Sequence, residues 1–174
     1  MAEWRLHWLE AEGEPRRWQT VVEAEITAAH DAIARVTDTH PLDILVQSVP
    51  WGIPGLGLNG MAHRAGLLTL TVDPDSPDRD RSLAEGLLRR IVAHEVHHCM
   101  RVRAGAGGRP TLGAAMVSEG LADHFVVEVF GPPPTPWTAP FGDAEWATIR
   151  EMAPAARDDP GVNQAHWLFA RGDR

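Results

Sequence analysis

His94-Glu95-Val96-His97-His98 is the segment of this chain whose residue types and spacing most directly suggest chemistry. At about 100° per residue on a helix, His94 and His98 stand one turn apart on the same face, with roughly 6 Å between their β-carbons. Two imidazoles so placed can both reach one zinc ion at about 2 Å. Glu95 lies beside them but displaced around the helix. Its carboxylate can reach a water held by the metal without being a ligand, which is the position of the general base in metal-assisted hydrolysis. The plainer alternative is two histidines on a solvated helix face with an incidental glutamate.

A catalytic zinc usually takes three protein ligands, and two histidines with a glutamate are one known set. Ser118-Glu119-Gly120-Leu121-Ala122-Asp123 offers that glutamate 21 residues after His98, beyond the glycine-rich turn Gly105–Gly108. Two consecutive antiparallel helices can bring Glu119 against both histidines. Asp123 follows Glu119 by four residues and shares its face, where it can accept the second N–H of a metal-bound imidazole. His124 sits at a different angle and is a weaker ligand candidate. Read without a metal, Glu119 and Asp123 are solvated acids on an amphipathic helix. A closed structural site would need a fourth protein ligand from His97, Asp123 or His124, making the chain a zinc-stabilised regulatory or binding module that is not an enzyme. A metal-free helical interaction domain requires every one of these spacings to be coincidental.

Positioning these groups requires two helices and a support. Trp4–Leu9 alternates as a strand, and Arg16 to about Thr37 carries Val21, Ala24, Ile26, Ala29 and Ile33 in an amphipathic helical pattern. Leu42–Val49 reads as a buried strand ended by Pro50. The glycine-rich stretch Trp51–Gly60 predicts an irregular loop or bulged strand entry, without the spacing of a phosphate-binding fingerprint. Gly66–Val72 is a further strand, closed by Asp73-Pro74-Asp75. Ser82 and Glu85 have capping-box spacing, which predicts one helix from Leu83 to about Val102. A second helix is expected from an N-cap at Thr111 to Phe130, ended by Gly131 and Pro132 to Pro134. Asp143–Ala156 and Val162–Ala170 suggest two more. Strands followed by helices give an α+β class in a single domain spanning residues 1–174.

The chain has 174 residues, enough for one domain with a substantial core. Its formal charge is −8, which argues against affinity for nucleic acid. No apolar run is long enough to cross a membrane and the N-terminus lacks a signal-like apolar core, so no membrane partner and a cytoplasmic location are expected. Cys99 is the single cysteine and reads as a small buried apolar residue.

HExxH followed by a glutamate in E-x-x-x-D spacing resembles the gluzincins, the thermolysin-like zinc peptidases. His94–His98 with Val117–Phe125 (VSEGLADHF) is more closely similar to a bacterial family of zinc-dependent proteases inferred from sequence, domain of unknown function 2268. The segments GIPGLGLNGMA, LTVDPDSP and HWLFARGD add to the resemblance, which extends over about Leu42–Arg174. It implies a zincin-like fold, one zinc per chain, His94, His98 and Glu119 as ligands, Glu95 as base, and a peptide or protein substrate. The family pattern continues with an aromatic Gly-Tyr motif and a further helix, whereas this chain ends at Arg174 and has no tyrosine. Either the chain is truncated or His166, His97, His124 or His63 takes the oxyanion or substrate contact. Gly66–Val72 is the expected edge strand for an extended peptide. Trp51, Trp137, Trp146 and Trp167 are expected mainly in packing, with a pocket lining as the alternative.

Overall fold

The computed structural model describes residues 3–108, 111–133 and 142–163. Strand β1 (Trp4–Leu9) turns Trp4, Leu6 and Trp8 toward the core and leaves Arg5, His7 and Leu9 exposed, as the period of two dictates. A 3-10 turn, Pro15–Trp18, leads into helix α1 (Gln19–Ile33). The helix returns the chain to β2 (Leu42–Gln47), parallel to β1 with Leu6 opposite Ile44. Parallel neighbours need such a crossover.

Two further strands complete a four-stranded mixed sheet in the order β1-β2-β4-β3. Strand β3 (Leu58–Arg64) forms an antiparallel hairpin with β4 (Leu67–Val72), and β4 pairs parallel with β2. The glycine-rich segment is an irregular loop through Gly57 and then enters a strand, pairing along β4 from Leu58 onward. One expectation is corrected here. The strand at Gly66–Val72 is interior, since β2 and β3 flank it, so the edge belongs to β3.

The helix bearing the histidines does not start from a capping box. Ser82 lies within a short helix, α2 (Arg79–Ala84), with its hydroxyl buried and unbonded among the described residues, and Glu85 follows as the C-cap. Gly86, at φ +72°, turns the chain before α3 (Leu87–Arg103). A left-handed residue interrupts the single helix that the apolar pattern suggests. The N-terminal turn of α3 is satisfied from outside: Glu25 on α1 accepts from the backbone N–H of Arg89 at 3.2 Å and from its Nε at 3.0 Å.

Helix α4 (Leu112–Phe130) begins as expected at Thr111, whose hydroxyl accepts from Ala114 N–H at 3.3 Å, and ends at Gly131. Helix α5 (Asp143–Ala156) also forms. Val162 and Asn163 are not helical, and the rest of the helix expected over Val162–Ala170 lies outside the described residues. The core joins Val22, Ile26 and Ile33 of α1 to alternate residues of β2 and β4, and then to Leu88, Val92 and Val96 of α3. This packing fixes α3 against the sheet. Cys99 is fully buried there, and burial pushes its thiol up to about 12. Trp51 and Trp146 depart from the packing expectation: both are exposed, at 68% and 49%. Trp137 and Trp167 lie outside the described residues.

Candidate metal centre

His94 and His98 fall in the middle of α3, where the following helix covers them. The contacts run in opposite senses along the two helices. His98 meets Ser118 and Glu119, while His94, one turn earlier, meets Glu119 and Asp123. Small residues on α4 let it approach: Ala115, Ser118 and Ala122 are buried.

Three atoms converge. His94 Nε2 is 3.1 Å from His98 Nε2 and 3.1 Å from Glu119 Oε2, and His98 Nε2 is 3.5 Å from the same oxygen. Ligands about 2.05 Å from a tetrahedral zinc are separated by about 3.3–3.4 Å. The three spacings bracket that value, so the donor set is compatible with the ion. Among the described residues these three side chains form the one group of histidine, cysteine or carboxylate donors able to hold a metal.

The outer nitrogens are held as well. Asp123 Oδ1 lies 3.0 Å from His94 Nδ1, and Ser118 Oγ lies 3.2 Å from His98 Nδ1. With hydrogen on each Nδ1, both Nε2 lone pairs face inward. Ser118 is a site residue that the sequence reading missed. Its signal was adjacency to Glu119, which the forward E-x-x-x-D spacing passes over.

The electrostatics match a cation site. Burial alone would lower His94, but the carboxylates of Asp123 and Glu119, with the charge of Glu95, hold its imidazolium up at about 10. Burial would raise Glu119, yet its bonds to His94 and His98 hold the carboxyl well below its ordinary range. Negative charge therefore surrounds the point where the ligand atoms meet.

Glu95 is also nearly buried, at 9% exposure, and is directed toward the sheet edge. Its Oε2 accepts from the backbone N–H of Ala62 on β3 at 2.7 Å. Gly60 lies against the same side chain. A β-carbon there would stand 2.6 Å from Glu95 Cγ and 2.6 Å from Ile91 Cγ2.

The other histidines separate from this group. His97 is half-buried, with its ring 5.3 Å from that of Phe125 and its Nδ1 buried without a partner among the described residues. Burial, then the charges of His98, Arg101 and His94, lowers it to about 4. His124 is exposed on α4, because its angle on that helix turns it away, and it does not join the donor group. His63 bonds the Thr69 hydroxyl at 2.7 Å across the β3–β4 hairpin. His166 lies outside the described residues.

A mixed sheet, a helix carrying two inward imidazoles and a second helix supplying a carboxylate make a helix pair whose converging side chains could hold a metal ion. Residues 21–173 match the family described as predicted Zn-dependent protease (DUF2268), and the chain belongs to that family. No curated protein and no solved structure matches it.

Proposed function

We propose that this protein is a zinc-dependent peptidase with one zinc per chain, held by His94 Nε2, His98 Nε2 and the Glu119 carboxylate. The observation that carries this reading is the convergence of three ligand atoms at tetrahedral spacing, with no fourth donor among the described residues. Catalytic sites leave such a position open for water or substrate, whereas structural sites close it. Asp123, a fourth-ligand candidate for a closed regulatory module, turns Oδ1 to the outer nitrogen of His94, which supports a role in orienting that ring. Family membership supports protease chemistry and hence a peptide or protein substrate. The order of helices, HExxH first and glutamate next, supports a gluzincin arrangement on a zincin-like single domain.

When bound, zinc supplies Lewis acidity that polarises the scissile carbonyl and brings the pKa of a coordinated water from about 16 towards 7. The residues of the chain do the rest. Asp123 and Ser118 fix the two imidazole rings so that their Nε2 lone pairs face inward. Glu95 takes the proton of the attacking water and returns it to the leaving amine. An extended substrate lies along the outer edge of β3, beside Glu95, by backbone pairing to its outward carbonyls.

Elemental analysis of protein purified without chelator tests the reading. About one zinc per chain, lost in His94→Ala, is expected, with cleavage of a peptide library that Glu95→Gln abolishes while zinc is retained. A folded chain that takes up no zinc when the ion is added back contradicts the proposal.

A further inference from the structure

In an antiparallel hairpin, alternate residues direct both N–H and C=O toward the partner strand, and those between them direct both outward. On β3 the outward residues include Leu58, whose carbonyl accepts from Ile53 N–H, and then Gly60 and Ala62. The donors of Gly60 and Ala62 go to Asn59 Oδ1, at 2.9 Å, and to Glu95 Oε2, at 2.7 Å. An edge N–H of this kind is ordinarily left to water. Here it meets a carboxylate that is 9% exposed, and among the described residues it is the donor that this carboxylate has. A buried carboxylate without a donor is strongly disfavoured, so the bond fixes where Glu95 sits.

Gly60 provides the second constraint. The Cβ position of any larger residue overlaps both Glu95 Cγ and Ile91 Cγ2, each at 2.6 Å. The strand can therefore lie directly on α3 at this point only without a side chain. Glu95 is confined from two sides, by the absent side chain of Gly60 and by the Ala62 N–H.

We propose that β3 is the positioning element of the general base: the Ala62 N–H anchors Glu95 Oε2, Gly60 admits the side chain, and Oε1 is left as the oxygen that accepts the proton. The inference rests on the peptidase reading for its role in catalysis, while the contact itself stands apart from that reading. It gives the edge strand a second duty beside holding substrate. Because the Ala62 N–H is committed to Glu95, the strand offers an incoming peptide the outward carbonyls of Gly60 and Ala62 as acceptors.

Two measurements on the full chain test it. The first follows the Ala62 amide by NMR in 15N-labelled protein, metal-free and with one equivalent of zinc(II). The expected result is a downfield, slowly exchanging amide whose exchange becomes at least about tenfold faster in Glu95→Ala. An Ala62 amide indifferent to that substitution overturns the proposal, whether or not any peptide is cleaved. The second uses Ala62→Pro, which is tolerated on edge strands and puts a ring methylene where the N–H met Glu95 Oε2, so that the anchor is lost and the carboxylate displaced. With a fluorogenic peptide mixture as probe, kcat should fall at least about tenfold while KM and zinc content hold, and Ala62→Gly, which keeps the N–H, should restore turnover. Unchanged kcat in the folded, zinc-loaded proline variant also overturns it. If the wild-type chain cleaves nothing, the peptidase reading fails and the exchange measurement alone decides the contact.

Discussion

Asp123 Oδ1 stands 3.0 Å from His94 Nδ1, on the side of the ring away from Glu119, whose Oε2 is 3.1 Å from Nε2. One imidazole is thus gripped at both nitrogens by the same helix, from residues four apart. Glu119 and Asp123 do different work although they are the same kind of group. The first meets the converging donor atoms of the candidate metal site, and the second meets the outer nitrogen, where an accepted Nδ1–H would leave Nε2 free to face them.

Removing the outer carboxylate should weaken metal binding without abolishing it. Asp123→Ala is expected to lower zinc affinity about 10–100-fold. Ser118→Ala, which removes a neutral partner of His98, should have a smaller effect. Chelator competition followed by fluorescence or absorbance measures both, and equal affinities for wild type and Asp123→Ala would contradict the arrangement.

Gly60→Ala places a methyl group where Glu95 Cγ and Ile91 Cγ2 already stand. Overpacking of this sort costs about 1–3 kcal/mol. Urea unfolding should show the loss, together with a drop in any peptide cleavage as the strand and Glu95 move apart. Wild-type stability in this variant would mean that β3 does not lie so close to α3.

The Glu25–Arg89 pair predicts an asymmetric response. The Glu25 side chain is only 6% exposed and also closes the first turn of α3, whereas the Arg89 side chain is 40% exposed. Arg89→Met leaves the buried Glu25 carboxylate uncompensated in charge, with the backbone N–H at position 89 as its remaining donor, and is expected to cost about 3 kcal/mol. Glu25→Gln lets the arginine turn to water and should cost about 1 kcal/mol. Denaturant melts of the two variants compare them directly; the reverse order would place the burial on the wrong partner.

His40 should make stability fall in mild acid. Burial, then the charge of Arg103, holds its imidazole below the usual range against the raising effect of its bond to the Ala65 carbonyl at 2.8 Å. The unfolded chain therefore takes up the proton first, and the stability present above about pH 6.5 is lost as the pH falls below that value. Comparing unfolding at pH 7.5 and 5.5, His40→Gln should lose less than the wild type. An equal pH response in both proteins would remove His40 as a cause.

The individual elements of the site were legible because their signals are local. HExxH fixes two imidazoles on one helix face by the angle per residue alone, and Thr111 caps α4 through an oxygen three residues from the N–H it accepts. The same reasoning failed at Ser82, where a correct capping spacing is overruled by Gly86 and by a cap that comes from Glu25, 64 residues before Arg89.

The sequence by itself singled out His94, His98 and Glu119, the three side chains that converge as a candidate metal site, since ligand type and helical spacing are properties of a short segment. Tertiary structure decided how they meet. Only packing of α4 on α3 brings Ser118 to His98 and Asp123 to His94, and only the strand order places β3, not β4, at the edge beside Glu95. Such contacts join residues tens of positions apart. Their distances follow from how the whole core closes, which no local periodicity encodes.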